Sequence, residues 1–235
     1  MIDGRVLIVG VGGLGVPAAV SLARFGVRTL GLVDPDPVDL SNLHRQVIYG
    51  ISDIETPKVK AASRRLAEMN PGGAVEALVA RLDESNAPAL IARYDFVIDA
   101  TDDPAAKFLI NDVCVAAGRA FVYGGVLGMG GQAMTVIPGR TACLRCVFEN
   151  PPDSAEIASC REAGIIGPVA GLIGEIQADE ARRFVLGLEP RLAGGILTYD
   201  GTAAPRMRVT RVGPRRGCAC GSHGRIGLGD ATARN

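Results

Sequence analysis

The stretch Val6-Leu7-Ile8-Val9-Gly10-Val11-Gly12-Gly13-Leu14-Gly15 decides the fold of this chain. Four apolar strand formers run directly into a Gly-x-Gly-x-x-Gly pattern, which is typical of the turn between the first strand and first helix of a nucleotide-binding α/β fold. We expect Gly10 to permit the tight turn, Gly12 to let the backbone approach a phosphate, and Gly15 to let the helix pack closely on the strand. Because 31 of the 235 residues are glycine, a plain strand-to-helix turn is the alternative at this point.

An acidic residue at the end of the second predicted strand strengthens the nucleotide interpretation. Residues 14–25 carry apolar side chains at helical spacing, and residues 29–33 form an apolar strand that ends at Asp34, 19 positions after Gly15. A carboxylate at this spacing reaches the ribose hydroxyls of a nucleotide bound to such a fold. The competing interpretation is a loop aspartate in a proline-rich turn.

Strand and helix patterns alternate through the rest of the chain. We predict further strands at residues 75–79, 96–99, 120–126, 130–137, 196–199 and 206–212, the last two as an antiparallel hairpin. One predicted helix begins at residue 58, and others cover residues 86–94, 105–117 and 165–186. Cys114 lies on the apolar face of the helix at residues 105–117, and we expect it in the core. The pattern predicts an α/β, Rossmann-like, mostly parallel sheet with helices on both faces, extended by antiparallel strands. We expect a single domain over residues 1–221 and a disordered tail at residues 222–235.

Composition excludes several classes of protein. Basic and acidic residues balance at 25 each, and apart from residues 206–216 no Lys/Arg run stands out, so nothing indicates nucleic-acid binding. No apolar run approaches the roughly 18 residues of a membrane span, and no signal-peptide pattern opens the chain, which predicts a cytoplasmic protein. In a reducing compartment the grouped cysteines, Cys143 with Cys146 and Cys218 with Cys220, indicate a metal site in preference to disulfides.

Two cations and a carboxylate are further site candidates. The connection at residues 36–56 contains Arg45 and leads to Lys58, and loops of this length in a compact α/β domain are usually functional. Asp102 follows the predicted strand at residues 96–99, where a carboxylate can hold Mg²⁺ against phosphates. The alternatives are surface salt bridges for the two cations and capping of the next helix by Asp102 or Asp103.

Several sequence motifs follow one another in a fixed order. They are Gly10-x-Gly12-Gly13-Leu14-Gly15, Asp34-x-Asp36-x-Val38-x-x-Ser41-Asn42-Leu43-x-Arg45-Gln46, Thr56-Pro57-Lys58, Asp99-x-Thr101-Asp102, Cys143-x-x-Cys146 and Cys160-Arg161-Glu162-Ala163-Gly164. Together they resemble the ThiF/MoeB family of ubiquitin-activating-like adenylyltransferases over residues 4–221. The Ser-Asn-Leu-x-Arg-Gln block is far more specific than the glycine loop.

The resemblance implies a reaction and a set of site residues. The reaction is ATP-dependent activation of the C-terminal glycine of a small ubiquitin-fold sulfur-carrier protein ending in Gly-Gly, in sulfur transfer for thiamine or molybdenum cofactor biosynthesis. An acyl adenylate forms and pyrophosphate leaves. The implied ATP site consists of the loop glycines Gly10, Gly12, Gly13 and Gly15, of Asp34 on the ribose, of Asn42, Arg45 and Lys58 on the phosphates, and of Asp102 on Mg²⁺.

The chemistry of this reaction explains why the implied site is rich in cations. The attacking α-carboxylate has an ordinary pKa of about 3.3 to 3.7 and is already ionised at neutral pH, so no general base is needed. The difficulty is bringing one anion to a polyanion. Arg45, Lys58 and Mg²⁺ would neutralise that approach and the charge on the departing pyrophosphate, which is electrostatic catalysis combined with positioning.

The cysteines form a zinc site in the family. Cys143 and Cys146 have the spacing of half a structural zinc site, and the resemblance implies a second Cys pair near the C-terminus that completes a zinc knuckle within residues 143–221. This chain has Cys218-Ala219-Cys220, which is one residue short of Cys-x-x-Cys. Either all four cysteines bind Zn²⁺, which we favour, or His223 replaces Cys218.

Cys160 matches a position that can form a covalent link to the carrier in ThiF-like proteins. It lies in a polar segment, residues 149–164, that we predict to be a mobile loop in which a thiol is exposed. The covalent role and a dispensable cysteine are both open alternatives.

The chain departs from the family pattern at its start. Family members commonly begin with a helical segment whose arginine enters the neighbouring subunit's site, whereas the first predicted strand here starts at residue 5. The resemblance also implies a homodimer, to which the glycine-containing helix at residues 165–186 could contribute, and the lack of a rhodanese-like region implies a separate sulfur-donor protein. The rival hypotheses are an NAD-dependent oxidoreductase, which would use the same glycine loop and Asp34, and a non-catalytic scaffold that binds a carrier protein.

Overall fold

A computed structural model describes residues 1–151 and 164–221 of the chain. Eight strands form one sheet in the order β3-β2-β1-β4-β5-β6-β7-β8. Their bounds are β1 Ile2–Val9, β2 Val27–Val33, β3 Ala74–Leu78, β4 Phe96–Asp99, β5 Ala120–Leu127, β6 Gly130–Val136, β7 Gly195–Asp200 and β8 Met207–Arg211. Strands β3, β2, β1, β4 and β5 run parallel, and β6, β7 and β8 extend the sheet in antiparallel pairing. The predicted fold class is therefore confirmed.

Helices cover both faces of the sheet. Their bounds are α1 Gly15–Arg24, α2 Lys58–Met69, α3 Ala87–Ile91, α4 Pro104–Ala116, α5 Leu144–Phe148 and α6 Gly167–Val185. Alternate β1 residues explain the two layers, because Val6 and Ile8 join a core with α1, α2 and α6 whereas Leu7 and Val9 join a core with α3, α4 and α5. Among the described residues no helix is long and apolar enough to cross a membrane.

Several elements differ from the sequence-based predictions for identifiable reasons. β1 begins at Ile2 and not at residue 5, because Ile2 already pairs with Val27 of β2 and its N–H donates to the Gly26 carbonyl oxygen at 2.8 Å. α3 ends at Ile91, three residues before the predicted end, because the N–H groups of Arg93 and Tyr94 donate to the carbonyl oxygens of Leu90 and Ile91, three residues back, and so form a turn. α6 begins at Gly167 and not at residue 165, because Ile165 forms a bridge with Gly128 at the β5–β6 turn. The short helix α5, which begins directly after Cys143 and contains Cys146, was not predicted.

The strand order creates a crevice beside β1. Strand β1 lies between β2 and β4, so the chain leaves β1 on one side of the sheet and later returns to its other side. In open parallel sheets ligands bind at such a switch point, beyond the carboxyl ends of the strands. The glycine loop, Asp34 and the residues after β4 all lie at that end.

Candidate active site

The glycine loop has the geometry that the sequence predicts at two of its positions. Gly10 has φ +87°, a conformation that favours glycine, and a Cβ there would lie 2.7 Å from the carbonyl oxygen of Ala100. A Cβ on Gly15 would overlap the carbonyl oxygen of Gly10, so the close packing of α1 on β1 requires glycine. In the described part of the chain the N–H groups of Gly12 and Gly13 make no hydrogen bond, which leaves them available to an anion.

Side chains hold both backbone groups of Val11 inside this loop. Its N–H donates to Asp34 Oδ2 at 2.7 Å, and its carbonyl oxygen accepts from the buried Tyr49 hydroxyl at 2.9 Å. Gln46 also packs here, because its Nε2 atom lies 3.5 Å from where a Gly12 Cβ would be, and its buried Oε1 has no partner among the described residues. The loop is therefore preorganised by residues of the connection that precedes α2.

Asp34 is buried at the carboxyl end of β2 and forms an ion pair with Lys58. Its Oδ1 accepts from the backbone N–H of Asp36 at 2.8 Å and lies 3.9 Å from Lys58 Nζ, which is 3.1 Å from Asp36 Oδ2. Burial raises the pKa of Asp34 above its ordinary value, and the Lys58 charge opposes that rise. The structure thus brings Asp34 and Lys58 together and ties Asp34 to the glycine loop.

Arg45 lies against the other side of the glycine loop. Its Nη2 donates to Asn42 Oδ1, and its Cδ would be 3.6 Å from a Cβ on Gly13. The start of α6 packs on it, since a Gly167 Cβ would lie 3.5 Å from Arg45 Cβ. No carboxylate pairs with Arg45 among the described residues, which disfavours the surface salt bridge that the sequence left open.

The turn after β4 presents Asp102. Asp99 Oδ1 accepts from Thr101 N at 3.1 Å and from Thr101 Oγ1 at 2.7 Å, and Asp103 caps α4 by accepting from the Ala105 N–H at 3.0 Å. Capping is therefore the role of Asp103. The exposed Asp102 carboxylate makes no hydrogen bond or ion pair within residues 1–151 and 164–221, so both of its oxygens are available to a ligand.

Four cysteines form a compact cluster on the face that carries α4. Each Sγ of Cys143, Cys146, Cys218 and Cys220 lies within 4.8 Å of every other, and the closest separations are 3.4, 3.6 and 3.9 Å. Tetrahedral Zn²⁺ with Zn–S bonds of about 2.3 Å places its sulfur ligands about 3.8 Å apart, so the cluster fits that ion.

Three of the four thiols differ in acidity. Burial raises the pKa of Cys143 to about 11 and raises that of Cys220 further, whereas Cys146 is more acidic than an ordinary thiol. Burial disfavours the Cys146 thiolate, but the backbone N–H of Arg215, 3.2 Å from its Sγ, and further hydrogen bonds lower the pKa of Cys146 to about 7. Cys218 belongs to the cluster, as the four-cysteine alternative requires. Cys160 and His223 lie outside the described residues.

Sequence reasoning missed the residues that support the site. Tyr49 and Gln46 hold the glycine loop, while Lys107 and Gln177 reach the ends of β4 and β5. Gln46 stood within a quoted motif and was the one available signal. Tyr49, Lys107 and Gln177 carry no local pattern, because their contacts join segments far apart in the sequence.

The sequence of this chain is similar to those of known adenylyltransferases. The ThiF family model matches residues 2–221. The chain is 39% identical over 216 residues to a sulfur carrier protein adenylyltransferase of Thermus thermophilus, covering 89% of this chain and 80% of that protein. It is 40% identical over 200 residues to the SAMP-activating enzyme E1 of Haloferax volcanii, covering 85% and 74%.

Other matches are longer than this chain or only distantly similar in sequence. The adenylyltransferase and sulfurtransferase MOCS3 of Arabidopsis thaliana is 37% identical over 212 residues, and the match covers 90% of this chain but 46% of that protein. Escherichia coli MccB crystallised with ATP superposes with a TM-score of 0.81 over 93% of this chain and 67% of that one; at 20% identity this shows the shared fold alone. The family match over nearly the whole chain decides the assignment: this chain belongs to the ThiF family and is an adenylyltransferase.

Proposed function

We propose that this enzyme adenylates the C-terminal glycine of a small ubiquitin-fold sulfur-carrier protein ending in Gly-Gly. The observation that carries the proposal is the arrangement of Asp34, Lys58, Arg45 and the unpaired Asp102 around one preorganised glycine loop. The names of the Thermus and Haloferax relatives support the substrate class. The finer assignment, to thiamine or to molybdenum cofactor biosynthesis, is open between these two pathways.

The proposed roles follow from where each side chain lies. Asp34 accepts hydrogen bonds from the ribose, and the free N–H groups of Gly12 and Gly13 face the phosphates. Asn42, Arg45 and Lys58 offset phosphate charge as the substrate carboxylate approaches. Lys58 must exchange part of its contact with Asp36 for a phosphate oxygen. The Asp36 side chain is exposed, so it can move away from Lys58 when a phosphate binds.

Mg²⁺ would be held by Asp102 and would supply charge neutralisation at the phosphates when bound. A single exposed carboxylate suits this ion, which is usually held by one or two carboxylates together with substrate phosphates. Asp102 meets that description because its neighbours, Thr101 and Asp103, take up the local hydrogen bonds.

We further propose that Cys143, Cys146, Cys218 and Cys220 hold a structural Zn²⁺, which the sulfur separations support. A covalent link between Cys160 and the carrier, a separate sulfur donor and a homodimer stay proposals. Gly174 packs within the chain, since a Cβ there would overlap Leu14 O, which weakens the case for α6 as a dimer surface. At Gly171, by contrast, no atom of the described residues lies within 4 Å of where a Cβ would be. We propose that the protein acts in the cytoplasm, a reducing compartment in which thiols are available to bind a metal.

ATP–pyrophosphate exchange tests the function and identifies the substrate. Purified protein with Mg²⁺ is assayed against each small Gly-Gly-ending protein of the source genome, with the Arg45→Ala variant in parallel. We expect exchange that depends on one carrier and falls at least about 100-fold in the variant, the range found when a group that stabilises developing charge is removed.

Other outcomes would favour the rival hypotheses. Saturable NADH binding without exchange would favour an oxidoreductase, and a stable carrier complex without exchange would favour a scaffold. Either result would contradict the proposed adenylation.

A further inference from the structure

Lys107 on α4 is a largely buried cation to which the proposed mechanism gives no role. Its side chain is 12% exposed, and its Nζ donates to the Gly124 carbonyl oxygen at 2.6 Å. The same Nζ lies 3.4 Å from both carboxylate oxygens of Asp99, which is fully buried, and 5.0 Å from the ring centroid of Tyr123. One ammonium group therefore joins the carboxyl ends of β4 and β5.

Stability alone does not explain such a pair. Removing two charges from water is costly, and a buried ion pair contributes no more to stability than well-packed apolar residues in many proteins. In some proteins such a pair instead specifies one geometry, and that role fits the Lys107–Asp99 pair. At this place the geometry that it fixes is that of the turn between β4 and α4.

The turn transmits the position of Lys107 to Asp102 in two steps. Lys107 fixes the Asp99 carboxylate, and the same carboxylate accepts both hydrogen bonds from Thr101. Asp103 on the far side is fixed as the cap of α4. Asp102 thus stands between two anchored residues while its own carboxylate is exposed.

The opposite face of the sheet holds the same strand ends. Gln177 Nε2 donates to the Asp99 carbonyl oxygen at 2.7 Å and to the Val122 carbonyl oxygen at 3.3 Å. A Cβ on Gly124 would lie 2.5 Å from Gln177 Cδ, so the residue that Lys107 binds is packed directly on this amide. The ends of β4 and β5 are therefore held from both faces of the sheet. This fixes the position of Lys107 relative to the turn between β4 and α4.

We propose that Lys107 is a positioning residue that aims Asp102 at a divalent cation. The proposal rests on the proposed function, because it takes Asp102 as the carboxylate that meets the cation beside the ATP phosphates. Lys107 itself touches neither nucleotide nor carrier.

The test measures metal affinity and does not need turnover. Mn²⁺ serves as the probe and is titrated, by electron paramagnetic resonance, into protein saturated with a non-hydrolysable ATP analogue. We expect Lys107→Met to weaken Mn²⁺ binding about tenfold, with metal-free binding of the analogue unchanged, and Lys107→Arg to restore the affinity to within threefold. Asp102→Asn gives the reference loss.

Two further variants keep the test decisive. Thr101→Val removes the hydroxyl that links Asp99 to the turn without leaving a buried charge unpaired, so it replaces Lys107→Met if that variant does not fold, with the same expected direction. Glu76→Gln breaks an ion-pair network on β3 and controls for a general loss of stability. Wild-type Mn²⁺ affinity in folded Lys107→Met or Thr101→Val would overturn this proposal alone, whereas wild-type protein that binds no Mn²⁺ with the analogue would overturn the proposed ATP site as well.

Discussion

At the scale of single residues, Val11 shows how side chains prepare the glycine loop for a ligand. Its N–H is bound by Asp34 and its carbonyl by Tyr49, so the loop is fixed by residues 23 and 38 positions away. Preorganisation of this kind lowers the entropy cost of binding. Tyr49 has its pKa raised by burial and by nearby Asp34 and Asp53, and it acts as a hydrogen-bond donor at all physiological pH values.

The Tyr49→Phe substitution tests this preorganisation. It removes the hydroxyl that donates to the Val11 carbonyl oxygen, so we expect ATP affinity to fall about threefold and the free energy of unfolding to fall by about 1 kcal/mol, the ordinary value of one hydrogen bond. Calorimetric titration and urea unfolding measure the two quantities.

Tyr94→Phe is the matched control. It removes a hydroxyl that donates to Glu76 on β3, and it should lower stability without changing ATP affinity. Equal effects of the two variants on ATP binding would contradict a specific role for Tyr49.

At the scale of elements, α6 packs on one face of the sheet through a close contact with α1 and through a buried, hydrogen-bonded carboxylate. Gly174 lets α1 approach, because a Cβ there would overlap Leu14 O and lie 2.6 Å from Pro17 Cγ, whereas within residues 1–151 and 164–221 nothing lies within 4 Å of a Cβ on Gly171. Glu180, on the same helix, binds the Thr135 hydroxyl and the N–H groups of Arg191 and Leu192.

Two alanine substitutions in α6 therefore have opposite expected effects. Gly174→Ala should lower the free energy of unfolding by about 1 to 3 kcal/mol through overpacking. Gly171→Ala should raise it by up to about 1 kcal/mol, because alanine favours the helix. Urea unfolding of both variants measures this, and similar values for the two would show that the α1–α6 contact is not as close as described.

The buried Glu180 predicts a pH dependence of stability. Burial raises the pKa of its carboxyl, so its contribution is fully present below the unfolded-state pKa and is lost as the pH rises through the folded-state pKa. We expect wild-type stability to fall relative to that of Glu180→Gln as the pH increases from about 4 towards neutrality. Denaturant unfolding at several pH values checks this, and a pH-independent difference would contradict it.

The elements also show which parts of the fold could be predicted from sequence. Local signals located β1, Gly10 and Gly15, and the motif order placed Asp34, Arg45 and Lys58 at one edge of the sheet. The supports could not be predicted, because Tyr49–Val11, Lys107–Gly124 and Gln177–Asp99 are side-chain-to-backbone contacts between distant segments that leave no periodicity. The sequence left open whether Asp102 or Asp103 caps α4 for a different reason: both aspartates stand directly before the helix, and either residue type can accept from its first N–H groups.

At the scale of the whole molecule, the cysteine cluster is attached to the helix that leads from the active-site turn. Arg145, inside the first cysteine pair, binds both carboxylate oxygens of Asp112 on α4 at 2.7 Å, and the Leu144 N–H donates to Asn111 Oδ1 at 2.8 Å. Loss of a metal from the cluster would therefore loosen α4, which begins at the Asp103 cap.

Metal content distinguishes the ligands from the other cysteines and from His223. We expect about one Zn²⁺ per chain in the wild type, loss of that metal in Cys218→Ser, and a fall in unfolding free energy of more than about 4 kcal/mol, as is typical when a structural metal is lost. Elemental analysis and thermal unfolding measure both.

Two controls accompany this experiment. Cys114→Ser alters a buried thiol in the core, and His223→Ala removes the alternative ligand; both should retain the metal. Loss of zinc in His223→Ala with retention in Cys218→Ser would reverse the assignment.

The central claim is that this chain transfers AMP to a carrier C-terminus. The most direct measurement incubates the enzyme and its carrier with ATP labelled at either the α- or the γ-phosphate and follows the label on the carrier. We expect transfer of the α-label only, its loss when the terminal glycine of the carrier is deleted, and its loss in Asp102→Ala. Transfer of the γ-label, or release of free phosphate with no labelled carrier, would contradict it.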